Sequence, residues 1–435
     1  MTGSTLLKTS GSARPGAAAV AAIAWIGPQI LMPLTLMTLP LEFTKEYFPL
    51  RIIELSRVFM VACLALFAAE LQTGRGIRVP HRLSFSGLAL FGVYAGISAA
   101  AVHSGSGVKT AAAIAIYFAF MVVVYNWSES TPIQWRMWYA LIISSLGVAV
   151  VALILRLTNT YIWNPDTASI YHRVSATFAD PNILARFLAF STATSIVLFS
   201  VWMRVRWSWL VIASAAASAA ALPFTYSRFG WVLFFLITFL AAALSPRRMP
   251  AFGLLLGVCV VFAAIYFLDP LVHARSALFA AGVASVHQGN WYDLIPLDSE
   301  RRYLVVAGLA MFGDHTLFGV GFGNYQHEIL TTYSSYILPT YHTSLSHTSM
   351  VTVMAELGLV GLALVVAILA ALARESWRSL TDRRGDAALV VMPIVAGTAI
   401  FLDSQLTGRL FDEPYLWVFL GLLYTAQSRI DSVRT

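Results

Sequence analysis

Four short segments of this 435-residue chain hold most of the side chains able to do chemistry. They read YHRVSATFADPN at 171–182, TYSRFGW at 225–231, SERRYLVVAGLAMFGDHTLFGVGFGNY at 299–325 and SHTSMVTVMAELGLVG at 346–361. Together they contain Arg173, Arg228, Arg301 and Arg302, and Arg186 follows the first segment closely. A guanidinium stays charged at any working pH and meets phosphate oxygens with paired hydrogen bonds. Arginines converging on one face would therefore point to an anionic ligand, although each one alone also suits a lipid headgroup. No Asp-x-Asp pair occurs in the chain, so recognition of a diphosphate would rest on arginine, and no metal or cofactor is expected. His347 lies at the predicted start of an apolar helix, where the helix dipole and nearby arginines disfavour imidazolium. A neutral ring is the form a general base needs, and it is equally the form that caps a helix or meets headgroups. His342 is its main rival, with His172 and His315 behind it. Glu356 sits one helical stretch further along; a carboxylate there is expected to be structural, bonded to another span.

The elements that must position these residues are membrane spans. The chain is 58% hydrophobic and 11% charged, with a mean hydropathy of +0.74. Soluble domains carry about 25% charged residues, so a cytosolic enzyme, a disordered chain and a collagen-like fibre are excluded. A span needs about 20 mostly apolar residues. Twelve stretches qualify: 17–40, 53–71, 84–103, 108–126, 137–157, 182–203, 207–224, 229–245, 250–268, 348–373, 387–403 and 414–428. The whole chain reads as one transmembrane domain. A connection at 158–181 and a larger loop at 269–347, between spans nine and ten, are the only long ones. The first apolar stretch is too long for a signal peptide's h-region of about 7–15 residues and reads as a retained span.

The net charge of +7 belongs to cytoplasmic loops rather than to nucleic-acid binding. With both termini cytoplasmic, 16 of the 28 basic residues fall on that side and 10 on the other, which places both long connections outside. Arg57 and Arg186 fall inside predicted spans near their outer ends, within snorkelling reach of the interface. Cys63 and Cys259 each lie in an apolar run and read as small core residues. No internal repeat, zinc spacing, phosphate-binding glycine loop or Gly-x-Ser-x-Gly elbow is present. Residues 300–313 have an interfacial helix pattern, with Tyr303, Leu304, Ala307 and Met311 on one stripe. Gly319, Gly321 and Gly323 then permit a tight turn and close backbone approach.

In this order the four segments resemble the O-antigen ligase and polymerase superfamily of bacterial envelope assembly. Its pattern runs Arg-x-x-Gly-Thr-Phe-x-x-Pro-Asn, Ser-Arg-Gly, Arg followed by Asn/His-Pro-Leu-x-Gly-x-Gly-x-Asn, and His-Asn followed by Glu-x-Gly. Ala176, Phe229, Thr316 and Thr348 depart from it. The resemblance implies an all-α, GT-C-like membrane protein of about 12 spans whose large exported loop carries short helices. It implies a metal-independent, inverting glycosyltransferase in the bacterial inner membrane, working on the periplasmic face. The donor would be an undecaprenyl-diphosphate-linked glycan and the acceptor a hydroxyl of lipid A–core, with membrane lipids as surroundings. Arg173, Arg228 and Arg301 match the pattern as diphosphate ligands, Arg186 and Arg302 join them by location, and His347 becomes the general base. One dominant late loop suits a ligase. A polymerase or a protein O-oligosaccharyltransferase is the near alternative, and a lipid-linked glycan transporter the distant one.

Overall fold

The computed structural model describes residues 25–47, 54–162, 173–202, 207–274, 299–336, 348–382, 386–408 and 410–432, and among them every regular element is helical. A π-helical turn at Gly27–Leu31 leads into α1 (Met32–Thr38). Then follow α2 (Leu55–Gln72), α3 (Leu83–Ala101), α4 (Gly105–Trp127), α5 (Thr131–Thr158), α6 (Pro181–Trp202), α7 (Ser208–Ala221), α8 (Arg228–Leu244) and α9 (Arg248–Leu268). The large loop contributes α10 (Ser299–Asp314) and α11 (Tyr325–Leu330). The chain closes with α12 (Ser349–Thr381), α13 (Ala387–Thr407) and α14 (Pro414–Ser432).

Local chemistry sets many of the boundaries. Ser104 caps α4 by accepting from the Gly107 N–H at 3.0 Å. Pro132 opens α5, where its missing N–H is harmless, and Asn159 closes it in the left-handed region at φ 51°. Gly408 closes α13 the same way at φ 74°.

Nine of the described helices are long and apolar enough to cross a membrane: α2 to α6, α7 with its 3-10 extension to Thr225, α9, α12 and α13. The chain is a polytopic all-α membrane protein. The difference from twelve expected spans has plain causes. α8 has 17 residues, α14 ends in the polar run Gln427–Ser432, and only the last part of the first stretch lies within the described residues.

The helices are tied at two ends. At one, here the loop end, lie the start of α6, the α7–α8 turn, the start of α12 and the end of α13; Arg156 on α5 meets Asp269 after α9 at 2.6 Å. Burial alone would push the Asp269 carboxyl up, but the bond from Arg156 and two backbone N–H groups outweigh it and hold the carboxyl below its usual range. At the opposite end Arg82 pairs with Asp431, and Glu375 accepts from the Ser84 hydroxyl. The axis of the bundle is α6, of which 94% of the apolar window is buried. Four of its hydroxyls survive there by bonding their own backbone, those of Thr192, Thr194, Ser195 and Ser200; Thr192 Oγ1 donates to the Leu188 carbonyl and Ser195 Oγ to that of Ser191, each at 2.8 Å.

Two expectations change here. Arg57 is half-exposed and pairs with Glu54 at 3.3 Å, as an interfacial anchor does. Arg186 is 1% exposed, so it does not snorkel. In α10, Leu304, Ala307 and Met311 are buried against α12 and Tyr325, but Tyr303 faces the other way at 39% exposure.

Candidate functional site

The first arginine is fixed by a short backbone splice at the loop end. The Val174 N–H donates to the Phe224 carbonyl at 3.0 Å, and Arg173 Nε to the Thr225 carbonyl at 2.9 Å. Arg173 Nη2 donates to Asn182 Oδ1 at 2.9 Å. This brings segment 173–182 against the turn that leads, three residues on, to Arg228 at the start of α8. Ser227 caps that helix through the Gly230 N–H at 3.2 Å. Arg173 and Arg228 are both half-buried, so their charge is desolvated without being sealed away. From behind, Glu42 accepts the Ala179 N–H at 2.9 Å and the Phe43 N–H donates to the Thr177 carbonyl. Ala176, where the resembling pattern has glycine, sits at φ 51° and is 2% exposed.

Arg186 lies one turn beyond Asn182, inside the bundle. Its Nη1 donates to Asp403 Oδ2 at 3.2 Å, and its Nη2 pairs with Glu413. Asp403 also accepts from Thr407 Oγ1 at 3.1 Å. Neither carboxylate was foreseen from the sequence. A signal existed: Asp403 ends an apolar stretch, and a charge in such a place needs a partner.

The glycine segment of the large loop and the Glu-x-Gly of α12 are two halves of one junction. α12 is interrupted at Gly358, whose φ of 63° and ψ of −156° are essentially reserved for glycine. An interruption inside a span orphans backbone groups that lipid cannot satisfy. Here the turn after α10 supplies the partners. The N–H groups of Val320 and Gly321 donate to the carbonyls of Ala355 and Glu356 at 2.8 and 2.9 Å. In return the Leu359 and Val360 N–H groups donate to Thr316 and Leu317 at 2.7 and 3.3 Å. The Glu356 side chain accepts the Tyr325 N–H at 3.1 Å. A bond to another span was expected for this carboxylate; the partner found is the start of α11, just after the loop turn.

Beside this junction is a cleft of about 230 Å³. Ser106, Gln326, Ser349, Thr352, Glu356 and Asp412 give it polar walls. A second, apolar groove of about 440 Å³ runs between α8, α12, α13 and α14 toward the opposite end. Pro393 and Gly397, one turn apart on α13, leave it room. Leu410 and Phe411 line both spaces, so the α13–α14 connector is their common wall. Trp417 Nε1 holds that connector through the Phe411 carbonyl at 2.8 Å, and the Phe411 ring lies 4.1 Å from that of Phe91.

The remaining candidates fall elsewhere. His315 is exposed beyond the end of α10. His347, His342 and His172 lie outside the described residues, as do the side chains of Arg301 and Arg302, whose backbone belongs to the first turn of α10.

Residues 213–366 match the family model described as O-antigen ligase. That is about a third of the chain, and it contains Arg228, the large loop, His347 and the Glu356–Gly358 junction, while Arg173 and Arg186 precede it. No curated protein matches the chain.

Proposed function

We propose that this protein is a glycosyltransferase of the O-antigen ligase kind. It moves a glycan from an undecaprenyl diphosphate carrier to a hydroxyl of lipid A–core, at the periplasmic face of the inner membrane. The observation that supports this best is the shared wall at Leu410 and Phe411, where a polar cleft meets an apolar groove between spans. A substrate with a saccharide head and a long hydrocarbon tail needs both kinds of space side by side. The family match over 213–366 supplies the class of reaction.

In this reading the acceptor oxygen attacks the anomeric carbon from the face opposite the diphosphate. The carbon–oxygen bond to the diphosphate breaks, its electron pair leaves with the phosphate, and His347 takes the acceptor's proton. Charge grows on the leaving diphosphate, and meeting such charge with fixed donors is usually the largest catalytic contribution. Arg173, Arg228, Arg301 and Arg302 supply the donors. The splice that fixes Arg173 on Thr225 and Asn182 pre-orients one guanidinium before the carrier arrives.

The test is transfer by purified protein from a defined undecaprenyl-diphosphate glycan, with EDTA present, to three separate acceptors. Product on lipid A–core supports the ligase reading. Product on a second lipid-linked glycan would make it a polymerase, and product on a pilin-like protein an O-oligosaccharyltransferase. Transfer to none of the three, or only after magnesium or manganese is restored, overturns the proposal.

A further inference from the structure

The Arg186 cluster bears on the wall between cleft and groove. One guanidinium, 1% exposed, ties the second turn of α6 to Asp403 in the last turn of α13 and to Glu413 immediately before α14. The chain between those carboxylates is the connector that carries Leu410 and Phe411. Both Nη atoms are engaged with carboxylates, and a phosphate could reach them only by entering the bundle and displacing acids already in place. A lone carboxylate left behind in that interior would be a desolvated, uncompensated charge. The connector's ends are thus anchored at one point on the axial helix, and its middle is held by Trp417 and Phe91.

We propose that Arg186 is a positioning residue: through Asp403 and Glu413 it sets the α13–α14 connector, and with it the alignment of the polar cleft on the apolar groove. It does not bind the diphosphate. The consequence for turnover rests on the transfer reaction proposed above; the consequence for the connector does not.

The experiment therefore has two readouts. In the first, Leu410→Cys, at a position 5% exposed in the intact protein, is labelled with a maleimide and the labelled peptide quantified by mass. Adding Glu413→Gln or Arg186→Lys should speed labelling at least tenfold, since the first removes a charge at constant shape and the second replaces the two-armed fork with a single ammonium one atom shorter. Asp403→Asn gives the same reading if Glu413→Gln yields no folded protein. In the second, carrier binding and single-turnover transfer are measured separately. Arg186→Lys, Arg186→Gln and Glu413→Gln should each cut the transfer rate at least tenfold while the undecaprenyl diphosphate Kd moves less than threefold. The Arg186→Gln, Glu413→Gln double variant should be no slower than the worse single, because the residues act as one unit. Unchanged labelling overturns the proposal, and so does a tenfold weaker Kd in Arg186→Gln alone. Wild-type protein that transfers nothing would fail the functional reading instead, and the labelling result would still stand.

Discussion

Arg173 and Arg186 lie thirteen residues apart in the chain and meet different surroundings. Arg173 is half-buried at a backbone splice, bonded to the Thr225 carbonyl and the Asn182 amide oxygen. Arg186 faces two carboxylates in the bundle interior. In the reading proposed above, an incoming diphosphate gains from the first and not from the second. Arg173→Ala and Arg228→Ala should in that reading each weaken carrier binding by roughly 10–100-fold, the size of one lost charge-assisted bond at about 1.5–3 kcal/mol. His347→Ala should leave that affinity near wild type and slow transfer by about 10²–10⁴, with His342→Ala as the near-normal control. A dead His342→Ala protein beside an active His347→Ala one would reassign the base. Ala176 raises a different balance. Its left-handed backbone costs about 1–2 kcal/mol relative to glycine, but glycine would forfeit about 0.4–1 kcal/mol of chain entropy and about 0.8 kcal/mol for a buried methyl. Ala176→Gly should therefore shift the thermal midpoint in detergent little. Ala176→Val, β-branched in the same conformation, should lose about 2 kcal/mol or more; a Val variant as stable as wild type would refute the strain.

At the scale of elements, the junction at Gly358 explains why two distant motifs belong together. A Cβ on Gly358 would lie 2.5 Å from the Leu317 carbonyl, and one on Gly319 would lie 2.3 Å from the Glu356 carbonyl carbon. Backbone meets backbone there, and neither side has a flexible group that could give way. Gly358→Ala should cost at least about 1–3 kcal/mol from conformation alone, read as a lower unfolding midpoint, and should expose the turn at 319–323 to proteolysis. An unshifted midpoint would mean the exchanged hydrogen bonds contribute little. Half of this junction was legible in the sequence. Glycines at 319, 321 and 323 signal close backbone approach, and that approach is found. What they approach was hidden, because residues 349–373 are apolar apart from Ser349, Thr352 and Glu356, and hydropathy does not register a broken backbone. Tyr303 was misplaced for a related reason: both faces of α10 carry apolar residues, so the pattern does not say which one meets the protein.

For the whole molecule, hydropathy located the spans well, since lipid contact demands apolar length wherever it occurs. It missed the charged pairs because Arg186 is separated from Asp403 and Glu413 by 217 and 227 residues, and no local window contains both signs. The orientation expected from the basic residues is open to direct measurement. Reporter fusions at Ser285 should read as exported and fusions at Asp382 as cytoplasmic, and a reversed result at either would invert every statement about the outer face.

The buried axis also constrains how the protein is made. α6 leaves the ribosome before α8 and α13, which later cover it, and Arg186 must wait until Asp403 and Glu413 are synthesised before its charge is matched. An unmatched arginine in a membrane helix costs about 2.5–3.5 kcal/mol on insertion scales. During that interval α6 carries an unmatched charge, and its nascent form depends on shelter from the insertion machinery or on Arg186 reaching toward the headgroups. The last two helices therefore complete the middle of the bundle as well as its edge: a chain that stops after α12 would retain most of its spans yet lack the partners that make its central one stable.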